Sequence, residues 1–245
     1  SRGLGDVYKR QYSFIGSVSE SYGSTFLGRQ AGQSTTSGYD NAFVGARAGN
    51  LNTTGATNVA VGAASLYSNT TASGSTAVGY QALYSAVTPY YAVGVGYQAG
   101  RTYTGTSANE HYGSVFVGQA AGYSTGNTND NTFVGGASGT TNTTGAYNTA
   151  LGSGSLYSNT TASYNTAVGY QAGYSLTTGH SNVLVGRMAG YNLTGTGNCF
   201  IGGNFDTYAV GYAMTTGSKN VIIGSYSGNN GGLDIRTASN YIVLS

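Results

Sequence analysis

The stretch NTAVGYQAGYSLTTG, residues 165–179, is one of several related copies in this chain of 245 residues. The segment STAVGYQALYS lies 90 residues upstream, and NTFVGGASGTTNTTG and NAFVGARAGNLNTTG are weaker copies of the same phrase. Self-similarity at a fixed spacing is the sequence signature of a repeat architecture. The first question is therefore which structural unit the phrase encodes.

A glycine closes an apolar triplet in every copy, and most successive glycines are 17 residues apart, with exceptions of 12, 16 and two of 22 residues. Residues 41–85 and 131–175 also repeat each other at a distance of 90 residues, which indicates that a block of five coils was duplicated. The aligned positions are Gly16, Gly28, Gly45, Gly62, Gly79, Gly96, Gly118, Gly135, Gly152, Gly169, Gly186, Gly202 and Gly224.

Each apolar triplet alternates in a way that is typical of a β-strand, whose successive side chains face opposite sides. The residue before the glycine is always aliphatic, and the middle residue is usually Phe, Ala, Leu or Ile. We predict that the aliphatic column fills the coil interior and that the Phe/Ala column faces outward and is covered by something else. The predicted core ladder is Val44, Val61, Val78, Val95, Val117, Val134, Leu151, Val168, Val185, Ile201 and Ile223.

A period of 17 residues is too short for a helical hairpin repeat, which needs more than about 30 residues. Two short strands and two glycine- or asparagine-containing turns fit the period, since both residues tolerate positive φ. The sequence thus predicts an all-β fold, a parallel β-solenoid (β-roll) of about 13 coils stacked about 4.8 Å apart. The second apolar face predicts lateral association, most simply as a homotrimer.

The pattern divides the chain into three parts. Residues 1–11, SRGLGDVYKRQ, resemble translated sequencing-adapter sequence, and we expect them to be an artefactual or disordered tail. Residues 12–228 form the predicted solenoid domain, and residues 229–245 are expected to be a C-terminal junction that ends before a further domain.

Charge and cysteine content exclude several classes of function. Only 7% of residues are charged, and removal of Arg2, Lys9, Arg10 and Asp6 from the nine basic and seven acidic residues leaves six of each. A neutral chain gives no electrostatic basis for binding nucleic acid, and no apolar run approaches the ~18–20 residues of a membrane helix. The single cysteine, Cys199, excludes an internal disulfide and is predicted to be a small core residue.

The repeated phrases resemble those of a known family. NTAVGYQA, NTALGSGS and NVAVGAAS, within residues 12–228, are similar to the NSVAIG signature of trimeric autotransporter adhesin heads. Arrays of NTAVGYQAL and SNTTG are closer still to environmental phage tail-fibre-like proteins, in which an ending like GGLDIRTASNYIVLS leads to a trimerising domain. The resemblance implies a left-handed β-roll, a homotrimer and an extracellular location on a virion tail fibre or a bacterial surface.

Motifs for catalysis and metal binding are weak. The G-x-S-x-G match at residues 122–126 lies at a repeat corner rather than on a strand–turn–helix, and His111 and His180 are isolated in the sequence. Asp40 and Asp130 precede equivalent asparagines and are predicted to cap turns. Asparagines of the NTT corners, and Asn192, form sequons for structural reasons. We expect no enzymatic activity and no cofactor.

The sequence favours a fibrous structural module that binds a cell-surface glycan or protein receptor. Tyrosines recur five places and one place after the glycines, and they either stack on one another or offer flat faces to sugars. Insertions in solenoids form loops that often bind ligands, so residues 101–114 and 203–217, in the two 22-residue steps, are the predicted contact loops. The candidate receptor-contact residues are Arg101, Tyr103, Glu110, His111, Tyr112, Phe205, Asp206 and Tyr208.

An ice-binding solenoid is the alternative. Threonine pairs such as Thr53/Thr54 and Thr70/Thr71 recur at coil spacing, and a flat threonine array could order water. The array is interrupted between Gly79 and Gly118, and threonine also suits strands and corners for ordinary reasons.

Overall fold

The computed structural model describes residues 23–88, 90–105, 113–128, 130–203 and 209–245. These residues form a parallel β-solenoid of about 12 turns with about 17 residues in each coil, which confirms the predicted fold class. One strand from each coil joins a single sheet of 13 strands in chain order, and every neighbouring pair is parallel. Within the described residues the chain forms no helix, and hence none that could cross a membrane.

The strands are short, and each consists of the apolar triplet before an aligned glycine, or its equivalent in the last coil. In chain order they are β1 (Thr25–Leu27), β2 (Ala42–Val44), β3 (Val59–Val61), β4 (Thr76–Val78), β5 (Val93–Val95), β6 (Val115–Val117), β7 (Thr132–Val134), β8 (Thr149–Leu151), β9 (Thr166–Val168), β10 (Val183–Val185), β11 (Cys199–Ile201), β12 (Val221–Ile223) and β13 (Ile242–Leu244).

The second strand that the sequence predicts around YQALYS is absent from the described coils. Gln81 and Leu83 have φ values of 53° and 50°, and the equivalent residues of other coils also have positive φ, so this arm turns instead of extending. Backbone hydrogen bonds still join it to the next coil: the N–H of Gly173 donates to the Ala189 carbonyl at 2.9 Å. One strand and a set of stacked turns therefore make up each coil.

The interior lies on the opposite side of the strand from the one predicted. The middle residue of each strand points inward, whereas Leu151 and Ile223, at the third position, are 48% and 46% exposed. The predicted core ladder from Val44 to Ile223 is therefore wrong: these residues face outward. The buried middle residues are Phe26, Phe43, Ala60, Ala77, Phe116, Phe133, Ala150, Ala167, Leu184, Phe200 and Ile222.

In some neighbouring coils, large and small residues exchange between two interior positions. Phe43 faces Gly49, where an added Cβ would lie 2.4 Å from the phenylalanine ring, whereas the next coil places Ala60 and Leu66 at the same two positions. Gly49 and Leu66 have φ values of 55° and 48°, so leucine occupies the same left-handed conformation as glycine. The same exchange occurs between the coil that contains Phe133 and Gly139 and the next coil, which has Ala150 and Leu156 at these positions.

Asparagines form two buried polar ladders beside this apolar core. The backbone N–H of Asn58 donates to Asn41 Oδ1 at 2.9 Å, and the same bond recurs along the first ladder. In the second ladder the side chain of Asn69 donates to Asn52 Oδ1 at 2.7 Å, and Asn159 donates to Asn142 in the same way. These four sequon asparagines are fully buried, so the folded coil leaves no room for a glycan on them.

The sheet continues beyond the predicted domain boundary at residue 228. Ile242 pairs with Val221 and Leu244 with Ile223, so residues 229–245 close a further coil instead of forming a separate junction. The tail at residues 1–11 lies outside the described residues.

The aligned glycines are required by backbone contacts between coils. Gly135 has a φ of 132°, and a Cβ at this position would lie 2.5 Å from the carbonyl carbon of Gly152 in the next coil. The same glycine-on-glycine contact repeats along the described sheet, at φ values that L side chains rarely adopt.

Gly135→Ala and Gly136→Ala provide a matched test of this contact. A Cβ on Gly136 would meet only the Ser153 side-chain oxygen, at 3.8 Å, whereas the Cβ on Gly135 would overlap the Gly152 backbone. We expect Gly135→Ala to reduce the free energy of unfolding by about 2 kcal/mol or more, and Gly136→Ala to change it by less than about 0.5 kcal/mol. Urea denaturation followed by circular dichroism measures both, and equal effects would contradict the stacking argument.

The volume exchange predicts non-additive effects of two core substitutions. Phe43→Ala alone leaves a cavity and is expected to cost about 3–5 kcal/mol. Gly49→Leu alone overpacks the coil against the Phe43 ring and is expected to cost about 1–3 kcal/mol. The double variant reproduces the Ala60/Leu66 arrangement of the next coil, so we expect it to regain at least half of the summed loss in denaturant unfolding. Additive losses would show that the two positions do not share one volume.

Candidate binding surfaces

The outward side of the sheet forms one continuous uncharged surface with an entirely aliphatic column and a column that includes five threonines, and we call it the apolar face. It consists of the first and third residues of strands β1–β13, and neither column contains a charged residue. Its third column is entirely Leu, Val and Ile, and several of its members are among the exposed large hydrophobic residues. Thirteen strands about 4.8 Å apart give the face a length of about 60 Å. A contiguous apolar surface of this extent marks an interaction site on a soluble protein.

Cys199 belongs to the apolar face. It is the first residue of β11 and is partly exposed, whereas the next residue, Phe200, is buried. The prediction that Cys199 is a core residue is therefore wrong, for the same reason as the core ladder: the strand presents its first and third residues outward.

Tyrosines five places after several of the aligned glycines, together with Tyr212, form a second feature, which we call the tyrosine ladder; Thr140 interrupts it between Tyr123 and Tyr157. Tyr157 and Tyr174 stack with ring centroids 4.9 Å apart and an interplanar angle of 7°, and Tyr174 stacks on Tyr191 at 5.0 Å and 2°. The ladder consists of Tyr67, Tyr84, Arg101, Tyr123, Tyr157, Tyr174, Tyr191 and Tyr212.

Mutual stacking, one of the two alternatives for these tyrosines, is confirmed. Because ring faces inside the ladder contact other rings, only their edges are available to a ligand. Pairs outside the ladder stack in the same way: Tyr80 on Tyr97 at 5.4 Å, beside the apolar face, and Tyr147 on Tyr164 at 5.1 Å.

Arg101 takes the place of a tyrosine within the ladder. Its guanidinium carbon lies 5.5 Å from the ring centroids of both Tyr84 and Tyr123, and its Nε donates to Gln81 Oε1 at 3.1 Å. Cations over two aromatic faces are stabilised by both rings. Arg101 thus bridges a gap in the stack, and its charged group is held against the surface of the rod.

Of the other predicted contact residues, Tyr103 is buried and the rest lie outside the described residues. Tyr103 is only 2% exposed and packs edge-on against Phe116 at 5.3 Å, so it belongs to the core and the prediction of a surface contact is wrong. Burial raises the pKa of its phenol. Glu110, His111 and Tyr112, and likewise Phe205, Asp206 and Tyr208, lie outside the described residues.

The threonine corners use many of their hydroxyl groups to join one coil to the next. Thr53 Oγ1 donates to the Thr70 carbonyl at 2.9 Å, and Thr143 and Thr160 donate to the corresponding carbonyls of their next coils. The second threonine of each pair, such as Thr54 or Thr161, is exposed. Asp40 and Asp130 adopt φ values of 53° and 54°, as expected for turn residues.

A pocket of about 550 Å³ lies at the C-terminal end of the tyrosine ladder. Its lining combines one aromatic ring with amide, hydroxyl, carboxylate and guanidinium groups. The residues are Asn192, Tyr212, Ala213, Thr215, Asn229, Asp234, Arg236 and Thr237. Tyr212, Ala213 and Thr215 lie in the predicted contact segment 203–217, whereas the other lining residues were not predicted, although the charged segment LDIR, which departs from the repeated phrase after Gly224, could have indicated them.

Arg236 holds Asp234 in a planar, doubly hydrogen-bonded pair at the rim of this pocket. The Nε and Nη2 atoms of Arg236 donate to the two carboxylate oxygens at 2.9 and 2.6 Å. These hydrogen bonds lower the pKa of Asp234 to about 2 and raise that of Arg236, so the pair stays ionised at neutral pH with no net charge.

The G-x-S-x-G match and His180 both lie outside the strands. The G-x-S-x-G match begins within a turn, at Gly122 with a φ of 58°, and His180 is exposed beside Ser181. Among the described residues, no three His, Cys, Asp or Glu side chains are close enough together to hold a metal ion.

No protein family, curated protein or solved structure matches this chain.

The position of Arg101 within the ladder predicts a specific order of thermal stability. Arg101→Ala removes two cation–π contacts and should cost about 1 kcal/mol, whereas Arg101→Tyr continues the ring stack and should restore the wild-type melting temperature. Arg187→Ala, at an exposed arginine, is the control and should have no effect. A melting temperature of Arg101→Tyr as low as that of Arg101→Ala would contradict the ladder as a stabilising unit.

Proposed function

We propose that this chain is a non-catalytic, fibrous receptor-binding module, the shaft or head of a trimeric phage tail fibre or cell-surface adhesin. The observation that carries the proposal is the apolar face: two uncharged columns that follow the whole described sheet. Such a face on a thin rod is the part of the molecule that most needs a partner, because its aliphatic residues contact water in the single chain.

The regular spacing of the face supports further copies of this chain as the partner. Each rung presents one aliphatic residue at the period of the parallel strands, and another rod with the same period can match every rung in register. In a three-fold arrangement, the first column of one chain packs against the third column of the next, so that both columns are covered and the ring closes. Three rods joined in this way form a stiff spike.

A spike of this kind supports attachment rather than chemistry. Its outward surfaces are turns, tyrosine edges and a pocket at one end, which are suited to contact a glycan or protein on another cell. We place the molecule outside the cell, on a virion tail fibre or a bacterial surface, in keeping with the resemblance of its repeats to adhesin heads and tail fibres.

Ice binding is supported less well. The first threonine of several corner pairs donates its hydroxyl to a carbonyl of the next coil, so fewer free hydroxyls remain for ordered water than the sequence pattern predicts. Thermal hysteresis of the purified chain tests this alternative directly, and a clear freezing-point gap would replace the attachment proposal.

Charges placed on the apolar face should separate the proposed trimer. The variant Val134→Lys/Leu151→Lys/Val168→Lys puts one lysine on each of three consecutive rungs of the third column. We expect wild-type protein to have three chain masses in sedimentation equilibrium and this variant to have one, because buried like charges cannot be paired across the axis. Its far-ultraviolet circular dichroism should stay β-rich, since the side chains point out of the coil.

The control variant carries the same three charges on another surface of the same region. Thr144→Lys/Thr161→Lys/Thr178→Lys changes exposed corner residues and should leave the trimer intact. A wild-type chain that sediments as a monomer, or a trimer that is equally sensitive to both variants, would overturn the proposal.

A further inference from the structure

The pocket lies at Tyr212, a ladder ring with a stacking partner on one side only, as Tyr67 and Tyr157 also are. Tyr212 stacks on Tyr191 with centroids 5.2 Å apart and an angle of 22°, and among the described residues no ring stacks on its other side. Tyr174, two rungs earlier, has a ring on both sides. Tyr212 is the last ring of the ladder in chain order, and the pocket lies against it.

The pocket exists because the last coil departs from the repeated path. The N–H of Thr215 donates to the Arg236 carbonyl at 2.9 Å, which places Arg236 on the rung after Thr215. The N–H of Ala213 donates to the Ser227 carbonyl, which places Ser227 instead of a tyrosine on the rung after Tyr212, and residues 229–234 beyond it form an exposed loop. The space beside Tyr212 is thus bounded by polar residues of this loop and of the following turn.

The loop is anchored at its base, so its polar groups have a defined position. The buried Tyr226 donates its hydroxyl to the Leu233 carbonyl at 2.6 Å, and Ser227 donates to the side-chain oxygen of Asn230. Arg236 also donates its backbone N–H to Asp234 Oδ1 at 3.1 Å. A site of this kind loses little conformational entropy when a ligand binds.

The chemistry of the lining selects one class of ligand. An aromatic ring offers a flat apolar surface, while the carboxylate, guanidinium and amide groups offer planar arrays of hydrogen-bond donors and acceptors. This combination matches a sugar ring, which has an apolar C–H face and a rim of adjacent hydroxyl groups. The charge on Arg236 is already compensated by Asp234, so an anionic ligand gains little here.

We propose that this pocket binds a neutral saccharide unit, with one face of the sugar on the Tyr212 ring and its hydroxyl groups on the Asp234–Arg236 pair, Asn192 and Asn229. A volume of about 550 Å³ is within the range of small-molecule sites and accommodates one or two sugar residues. The inference rests on the proposed receptor-binding function and gives that function a location and a ligand class. Of the two predicted contact segments, residues 203–217 contribute Tyr212, Ala213 and Thr215 to this pocket, and residues 101–114 contribute none of its lining.

Saturation-transfer NMR on the full chain tests the site, with the methyl glycosides of glucose, galactose, mannose and N-acetylglucosamine as probes. We expect at least one of these glycosides to bind, and Tyr212→Ala to weaken its affinity about tenfold or more, equivalent to about 1.4 kcal/mol. Tyr174→Ala is the matched control, since it also removes one ladder ring but at a rung covered on both sides. It should leave the affinity within about twofold of wild type.

A second variant tests the charge argument. Asp234→Asn leaves Arg236 without its counter-charge, so we expect this variant to gain affinity for methyl glucuronide and to lose affinity for the neutral glycoside. Thermal melting of each variant shows that it is folded.

Several results would overturn the proposal: binding by none of the neutral glycosides, equal losses from Tyr212→Ala and Tyr174→Ala, or a wild-type preference for methyl glucuronide. These results are separable from the fibre proposal. A wild-type trimer that binds no glycoside rejects the pocket alone, whereas a monomer whose glycoside binding depends on Tyr212 rejects the fibre alone.

Discussion

The stacking of one aligned glycine on the next is the contact on which the rest of this structure depends. At Gly135, Gly152 and their equivalents, φ values near +130° bring the backbone of one coil within a distance that excludes any Cβ. The contact fixes the register of successive strands. It thereby aligns every other column of the rod, including the interior residues, the asparagine ladders and the stacked tyrosines. Each coil contacts only its neighbours, so the molecule is stabilised rung by rung.

The interior solves a packing problem that follows from this register. A coil of about 17 residues encloses few side chains, and its width cannot vary much while the glycines stay in contact. The chain therefore places Phe with Gly in some coils and Ala with Leu in others, which keeps the enclosed volume similar. Buried asparagines satisfy backbone groups of the next coil. Where a ladder ends, as at Asn69 and Asn159, the side-chain oxygen has no partner among the described residues.

The same repetition that stabilises the rod also creates its surfaces. A column that faces outward on one rung faces outward on all of them, so a single aliphatic position becomes an apolar face and a single tyrosine becomes a ladder. We propose that the chain assembles through the full length of the apolar face and binds its ligand at the C-terminal end of the tyrosine ladder. The proposed assembly contact depends on the regular spacing of the rungs, because an identical rod can match that spacing. The proposed ligand contact lies beside Tyr212, the last ring of the ladder, which has no ring beyond it among the described residues.

The sequence by itself determined the period, the parallel stacking of coils and the glycine at each strand end, because each of these follows from residue types that recur at fixed spacing. It also limited the tyrosines to two arrangements, of which mutual stacking is the one observed. Only the tertiary structure decided which side of the strand is the interior. Phe43 and Val44 are both apolar. Alternation alone cannot show which of these two side chains the turns at positive φ enclose. The same uncertainty misplaced Cys199, and Tyr103 was assigned to the surface because the path of its long coil is not encoded in the period. The pocket beside Tyr212 is likewise a product of tertiary structure, since Tyr212 and Arg236 meet only when the last coil has closed.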